Sequence, residues 1–178
     1  MAVDSTANVY VVDWLGHRVR KIHPAGVIAT FTGTGEPGSS GNGGLATETE
    51  LWRPKGVAED RAGNVFIAGD GHGVRKVDTS GVITGFASDV HISAGGALAT
   101  DALGRVYAGG DRQILRIDNG EMSIVAGTGE DGYSGDSGPA LSARFSVVGI
   151  AVDRFGNVWI ADHNSRRIRV LRRQDRRP

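Results

Sequence analysis

The apolar positions of this chain fall in short, evenly spread runs. Four of them match one another: "NVYVV" from Asn8, "NVFIA" from Asn64, "RVYAG" from Arg105 and "NVWIA" from Asn157. Each is apolar at consecutive positions, as a strand buried on both faces must be. Each follows an Ala and an Asp two residues beyond it: Ala2 and Asp4, Ala58 and Asp60, Ala99 and Asp101, Ala151 and Asp153. The aspartates recur at intervals of about 40 to 56 residues, the range of propeller blades. The segment round the Ala predicts a first, inner strand (a) and the apolar run a second (b). Between them lie "RAGN", "ALGR" and "RFGN", whose Gly63, Gly104 and Gly156 suit tight hairpins, whereas Ala7 holds that place in the first repeat.

A third strand (c) mixes apolar and charged positions: "VRKI" from Val19, "VRKV" from Val74, "ILRI" from Ile114 and "IRVL" from Ile168. A fourth (d) is read in "GVIATF", "GVITGF" and "EMSIVA", and only in the first three repeats. Composition agrees with an all-β reading, since 28 Gly and 5 Pro among 178 residues favour many turns. Lys and Arg total 20, as do Asp and Glu, so no global field draws the chain to nucleic acid or a membrane surface. Cysteine is absent, which removes disulfides, thiolate metal sites and a cysteine nucleophile. No run of about 18 apolar residues predicts a membrane span, and the start lacks a basic-then-apolar leader, so a soluble chain of open localisation is expected.

The Asp, the Gly-Asn turn, the strand ending in Ala-Asp and "NSRRIRV" from Asn164 together resemble NHL repeats, which build β-propellers. The resemblance covers essentially the whole chain, and "GTGEDGYSGDSGPA" from Gly127 is similar to the Gly-rich linker between bacterial NHL blades. It implies one propeller unit over residues 1–178. The blades are expected at about 1–33, 56–87, 96–127 and 149–171, with a basic tail at 172–178. Three blades are complete and the fourth lacks its outer strand, so a partial or associating propeller is expected, with self-association through the open last blade. Of function the resemblance implies less, because such propellers include protein-binding, RNA-binding, sensor and enzymatic members.

Gly-Asp-Ser-Gly, from Gly135 to Gly138, is the string found round the nucleophile of trypsin-like proteases. Yet "GTGEPGSSGNGGLA" from Gly33 aligns to this segment without gaps, nine of fourteen letters being shared, and Gly43 stands where Ser137 does. A connector turn accounts for both copies, so no catalytic residue is assigned. Asp13 with Arg18 and Asp162 with Arg167 occur together in the outer repeats and are missing together in the inner ones. That correlation predicts structural ion pairs bracing the b-to-c hairpins.

In antiparallel blades the b-to-c loops and d-to-a connectors emerge at one end. The binding residues expected on that face are Trp14, His17, Asp70, His72, Asp111, Arg112, Tyr133, His163 and Arg166. His17, His72 and His163 raise zinc binding, but they are out of register and off the inner strands. The acidic "EDGYSGD" raises calcium, but its counterpart "EPGSSGN" keeps one carboxylate. No metal or cofactor is therefore assigned. The tail "RRIRVLRRQDRRP" carries seven Arg without interleaved aromatics, which disfavours nucleic acid. The resulting expectation is a non-enzymatic binding or scaffold module whose loop face takes a protein or small molecule. The alternatives are a metal-dependent lyase or hydrolase on the same scaffold and an RNA-binding propeller.

Overall fold

The computed structural model describes residues 1–70, 73–88, 90–91, 96–110 and 112–172. Blade one comprises β1 (Ala2–Val3), β2 (Val9–Asp13), β3 (Arg18–Ile22) and β4 (Ile28–Thr32). Blade two comprises β5 (Pro54–Glu59), β6 (Val65–Gly69), β7 (Val74–Val77) and β8 (Ile83–Ala87). Blade three comprises β9 (Leu98–Thr100), β10 (Val106–Gly110), β11 (Gln113–Asp118) and β12 (Glu121–Ala126). Blade four has β13 (Val147–Val152), β14 (Val158–Asp162) and β15 (Arg167–Leu171). Every sheet is an antiparallel meander in chain order, and the described helices are two three-residue 3-10 turns, Ala46–Glu48 and Ala140–Ser142. The chain is thus an all-β, four-bladed β-propeller unit.

The recurring Asp is the organiser of each turn between the first two strands. Asp4 Oδ1 accepts the backbone N–H groups of Thr6 at 3.0 Å and Asn8 at 2.8 Å, and its Oδ2 accepts the Asn8 side-chain amide at 2.7 Å. Asp60 with Asn64 and Asp153 with Asn157 repeat the arrangement. In blade three Arg105 replaces the Asn, and its Nε donates to Asp101 Oδ2 at 2.7 Å. Side chains thereby satisfy backbone donors that the tight turn leaves open. Hydrogen bonding from Asn157 draws the Asp153 carboxyl down to about 2. Burial opposes ionisation of Asp4, yet the Asn8 and Thr6 donors outweigh it and hold that carboxyl far below its ordinary range. The third turn residue is left-handed throughout: Gly63, Gly104 and Gly156 have φ of 84°, 77° and 84°, and Ala7 has 64°.

Blades pack through apolar sheet faces. Tyr10, Val12 and Phe31 of blade one meet Val57, Ile67 and Ile83 of blade two. Phe66, Ala68 and Phe86 meet Leu98, Val106 and Ile117 of blade three, and Tyr107 and Ile114 meet Val147, Val158 and Ile160 of blade four. The first strands touch from blade to blade, β1 with β5, β5 with β9 and β9 with β13. One aromatic per b strand points forward into the next blade. Tyr10, Phe66 and Tyr107 are buried there, but Trp159, with no further blade among the described residues, is 44% exposed. The b strands are accordingly core in the middle blades and half-open at the ends.

The predicted hairpin ion pairs are corrected by the side-chain geometry. Asp13 and Arg18 do face each other across the hairpin. However, the Asp13 carboxylate caps the Gly16 N–H at 2.9 Å, and Arg18 reaches the carbonyls of Gly16 and Thr34. Asp162 accepts the Ser146 N–H at 3.0 Å and lies 3.8 Å from Arg169, not Arg167, whose guanidinium stacks 4.3 Å from the Tyr133 ring centre. Open backbone groups of the loop and connector claim these charges before they can claim each other.

Candidate functional site

The b-to-c loops and the long connectors share one end of the unit. Cross-links between them prove the convergence: the Arg53 N–H donates to His17 Nδ1 at 3.1 Å, and Asp131 lies 3.5 Å from Arg112 and accepts Asn164 Nδ2 at 3.2 Å. Three of these loops turn on a left-handed residue at one equivalent place, His17, Arg112 and Arg166, with φ of 50°, 60° and 55°, and the counterpart in the second loop, His72, lies outside the described residues. Three of the predicted binding residues therefore stand where the backbone, rather than the side chain, is constrained.

The sequence-predicted residues separate into groups along this face. In the first, Trp14 is 43% exposed and the Arg53 guanidinium carbon sits 5.1 Å from its ring centre, a cation-π contact. His17 fixes the Arg53 backbone, itself left-handed at 42°, and Trp52 beside it is 48% exposed. Asp70 forms the second group, with its carboxylate 2.5 Å from Lys55 Nζ and its N–H on the Trp52 carbonyl at 3.0 Å. Arg112, Asp131 and Asn164 form the third. In the fourth, the Tyr133 hydroxyl donates to Asp136 and its ring carries both Arg167 and Arg169. That hydrogen bond pushes the Tyr133 phenol up and the Asp136 carboxyl down. His163 and Arg166 are exposed on the fourth loop, where the His163 N–H is tied to the Ser146 carbonyl at 2.8 Å. His72 and Asp111 lie outside the described residues.

Trp52 and Arg53 were missed by the sequence reading. An indole inside the polar run "ELWRPKG" was the signal available. Ser137 has φ of 65° against 87° for Gly43, so it occupies the turn position that its counterpart predicted. The carboxylates of the "EDGYSGD" connector are separately engaged, Glu130 by Arg144, Asp131 by Arg112 and Asp136 by Arg169. Among the described residues no three of His, Asp and Glu converge as metal ligands.

At the opposite end, the a-to-b turns of all four blades surround a depression of about 400 Å³, reached by Ser5, Arg61, Ala102 and Arg154. Burial, then the neighbouring Asp4 and Asp60 charges, push the Glu59 carboxyl up there. The aspartates round it are spent on their own turns, so this end reads as scaffold.

Comparison with known proteins gives the same architecture. The Teneurin NHL domain family matches residues 34–103. Mouse Teneurin-4 is 24% identical over 160 residues, covering 74% of this chain, and this match spans 6% of the length of Teneurin-4. Among solved structures, an auxiliary nutrient binding protein from Bacteroides ovatus superposes with a TM-score of 0.65 at 15% identity, over 95% of this chain and 43% of its own. Virginiamycin B lyase from Staphylococcus aureus superposes with a TM-score of 0.57 at 13% identity, over 98% of this chain and 55% of its own. At these identities the structural likeness shows the fold alone.

Proposed function

We propose that this NHL-type β-propeller unit, similar to the Teneurin NHL domain over residues 34–103, is a non-enzymatic binding module whose loop face takes a protein or small ligand. The observation that carries this reading is the Trp14, Trp52 and Arg53 group. The half-exposed Trp14 indole stacks on the Arg53 guanidinium, whose backbone is locked by His17, and Trp52, next to Arg53 in the chain, is half-exposed as well. Aromatic and Arg side chains held on a rigid scaffold are the usual anchors of recognition. Such a group suits an apolar or aromatic moiety with an anion beside it. Asp70 with Lys55 and Arg112 with Asp131 extend the face as a polar rim.

Photo-crosslinking tests this. A crosslinking residue at Leu15, exposed beside Trp14, is compared with one at Leu103, exposed on the opposite end. Adducts from Leu15 that vanish in Trp14→Ala, with none from Leu103, are the expected result. Equal labelling from both ends would overturn it. Stoichiometric zinc in the purified protein would favour the metal-dependent lyase or hydrolase instead, and salt-dependent binding of single-stranded RNA would favour the RNA-binding alternative.

A further inference from the structure

The connectors entering blades two and four are two copies of one segment, fastened alike. Arg75 on β7 donates to the Ser40 and Glu50 carbonyls, and Arg169 on β15 donates to the Ser134 and Arg144 carbonyls, which stand at the same places in the second copy. The correspondence runs on through Leu51 and Phe145, both buried. It holds again at Trp52 and Ser146, whose carbonyls accept the N–H groups of Asp70 at 3.0 Å and His163 at 2.8 Å. The next residues to correspond are Pro54 and Val147, which face Gly69 and Asp162 across the sheet. Arg53 has no counterpart and is one residue inserted into the connector of blade two.

Blade two is altered to admit it. In blade four Asp162 braces the connector by accepting the Ser146 N–H at 3.0 Å. Gly69 stands in that place in blade two, and a Cβ there would lie 2.7 Å from the Trp52 carbonyl oxygen and 3.1 Å from that of Arg53. The brace is given up and the inserted backbone takes the room. Arg53 is also left-handed, with φ of 42°, a strained conformation for any residue but glycine. Blade four builds the same connector without either feature, so folding does not account for them.

The inserted residue is held from both sides. Its N–H donates to His17 of blade one, the carbonyl before it accepts from Asp70 of blade two, and Pro54 follows it. Trp14 covers the guanidinium at 5.1 Å, and among the described residues no acceptor meets its N–H groups. The charges beside it in the chain and on the first loop are already engaged: Lys55 with Asp70, Asp13 with the Gly16 N–H, and Arg18 with the Gly16 and Thr34 carbonyls.

We propose that Arg53 is an oxyanion-recognition residue that takes a single carboxylate in its fork of donors, while Trp14 receives the aromatic group carrying that carboxylate. One guanidinium offers one positive charge and a planar pair of donors, which matches a carboxylate. A phosphate dianion would call for a second cation, and Lys55 is committed to Asp70. Holding the backbone in advance lowers the ordering cost of binding. The proposal rests on the loop-face reading and adds to it the chemical class of the ligand. A free arylcarboxylate and an acidic side chain beside an aromatic one in a peptide share this chemistry.

The test is an NMR titration of the indole N–H resonances of the whole protein, that of Trp14 being assigned with Trp14→Phe. Phenylacetate and its neutral counterpart phenylacetamide probe the small-molecule source. Acetyl-Phe-Glu-amide and acetyl-Phe-Gln-amide probe the peptide source. Saturable movement of the Trp14 resonance is expected with at least one carboxylate probe, and affinity at least about fivefold weaker for its amide. The carboxylate that binds more tightly identifies the source. Arg53→Lys keeps the charge without the fork and should weaken the carboxylate at least about threefold. Arg53→Gly relieves the left-handed residue and keeps its N–H, so it should fold at least as well and lose all preference for the carboxylate. Equal affinity for carboxylate and amide, a preference that survives Arg53→Gly, or no saturable movement up to about 50 mM of any probe overturns the proposal. So does phenyl phosphate binding more than about tenfold tighter than phenylacetate, since the ion would then not be singly charged. Any of these leaves the loop-face reading intact if Leu15 adducts still form and still need Trp14. That reading fails separately, when Leu15 labels no more than Leu103.

Discussion

Asn42→Asp is the substitution for which the two copies of the connector make the sharpest forecast. Arg75 is only 4% exposed, and its guanidinium is held by Asn42 Oδ1 at 2.8 and 3.0 Å and by two carbonyls at 2.9 and 3.2 Å. These partners are neutral, and burial depresses the Arg75 pKa. In blade four the same guanidinium meets the carboxylate of Asp136 at 2.6 Å. Asp at position 42 is nearly isosteric with Asn and would place a carboxylate oxygen where Oδ1 now stands. At 3 to 4 Å and an effective dielectric constant near 20 the direct attraction is about 4 to 5 kcal/mol. Desolvation takes back much of it, although Asn42 is itself exposed. A net gain of about 1–2 kcal/mol remains, or about 3–6 °C in Tm for a chain of this length. The partnered carboxylate would have a folded pKa below its unfolded value of about 3.9. Its contribution is therefore complete above about pH 4 and fades as pH falls through the folded value. Thermal unfolding at pH 7 and pH 3, with and without Arg75→Met, measures the gain and its coupling. An unchanged or lower Tm at pH 7, or a gain that survives in the Arg75→Met background, would show that the carbonyls already satisfy Arg75.

Other expectations concern the turns and the loop face. Ala7→Gly relieves a left-handed alanine on an exposed turn and should stabilise by about 0.5–1 kcal/mol in urea titrations; destabilisation would mean the Ala7 methyl group is needed. Asp4, Asp101 and Asp153 all have folded pKa values below the ordinary range, and the first two keep them low against burial. Stability from these carboxylates is present above about pH 4 and lost below it, so the urea midpoint should fall between about pH 4 and 2. A flat midpoint across that window, or the same slope in Asp153→Asn, would refute the turn-capping role. His17→Gly removes the acceptor for the Arg53 N–H while easing a left-handed histidine, so Leu15 crosslinking should drop although Tm is kept.

The repeat, its strands and the propeller were legible because each rests on local pattern: consecutive apolar b strands, the Asp with its Asn four residues on, the turn glycines. The ion pairs were not, because co-occurrence of Asp13 with Arg18 reports that both are needed, not that they touch. Each answers a different open backbone group, Gly16 N–H for the one and the Thr34 carbonyl for the other. Trp52 escaped for a related reason. The residue after it, Arg53, meets the Trp14 ring 39 positions earlier in the chain, and no periodicity reports a meeting between a loop and the next blade's connector.

The two ends of the propeller obey different constraints, and that difference bears on where recognition can reside. At the a-to-b end all four blades spend an aspartate on the turn, and three of them an asparagine besides, so side-chain identity there is fixed by folding. At the b-to-c end three loops share a left-handed backbone residue at one place, filled by His17, Arg112 and Arg166. A conformation that glycine adopts at no steric cost is occupied by His or Arg in each of these three blades, with strain of about 1 kcal/mol apiece. Turn formation alone would select glycine at every one of these places. The side chains are retained because they hold something: His17 holds Arg53, and Arg112 holds Asp131. Replacing all three by glycine should therefore raise or preserve Tm while loosening the connectors, seen as faster hydrogen exchange at Arg53 and Asp131. If exchange there is unchanged, the loop face owes its order to the connectors alone.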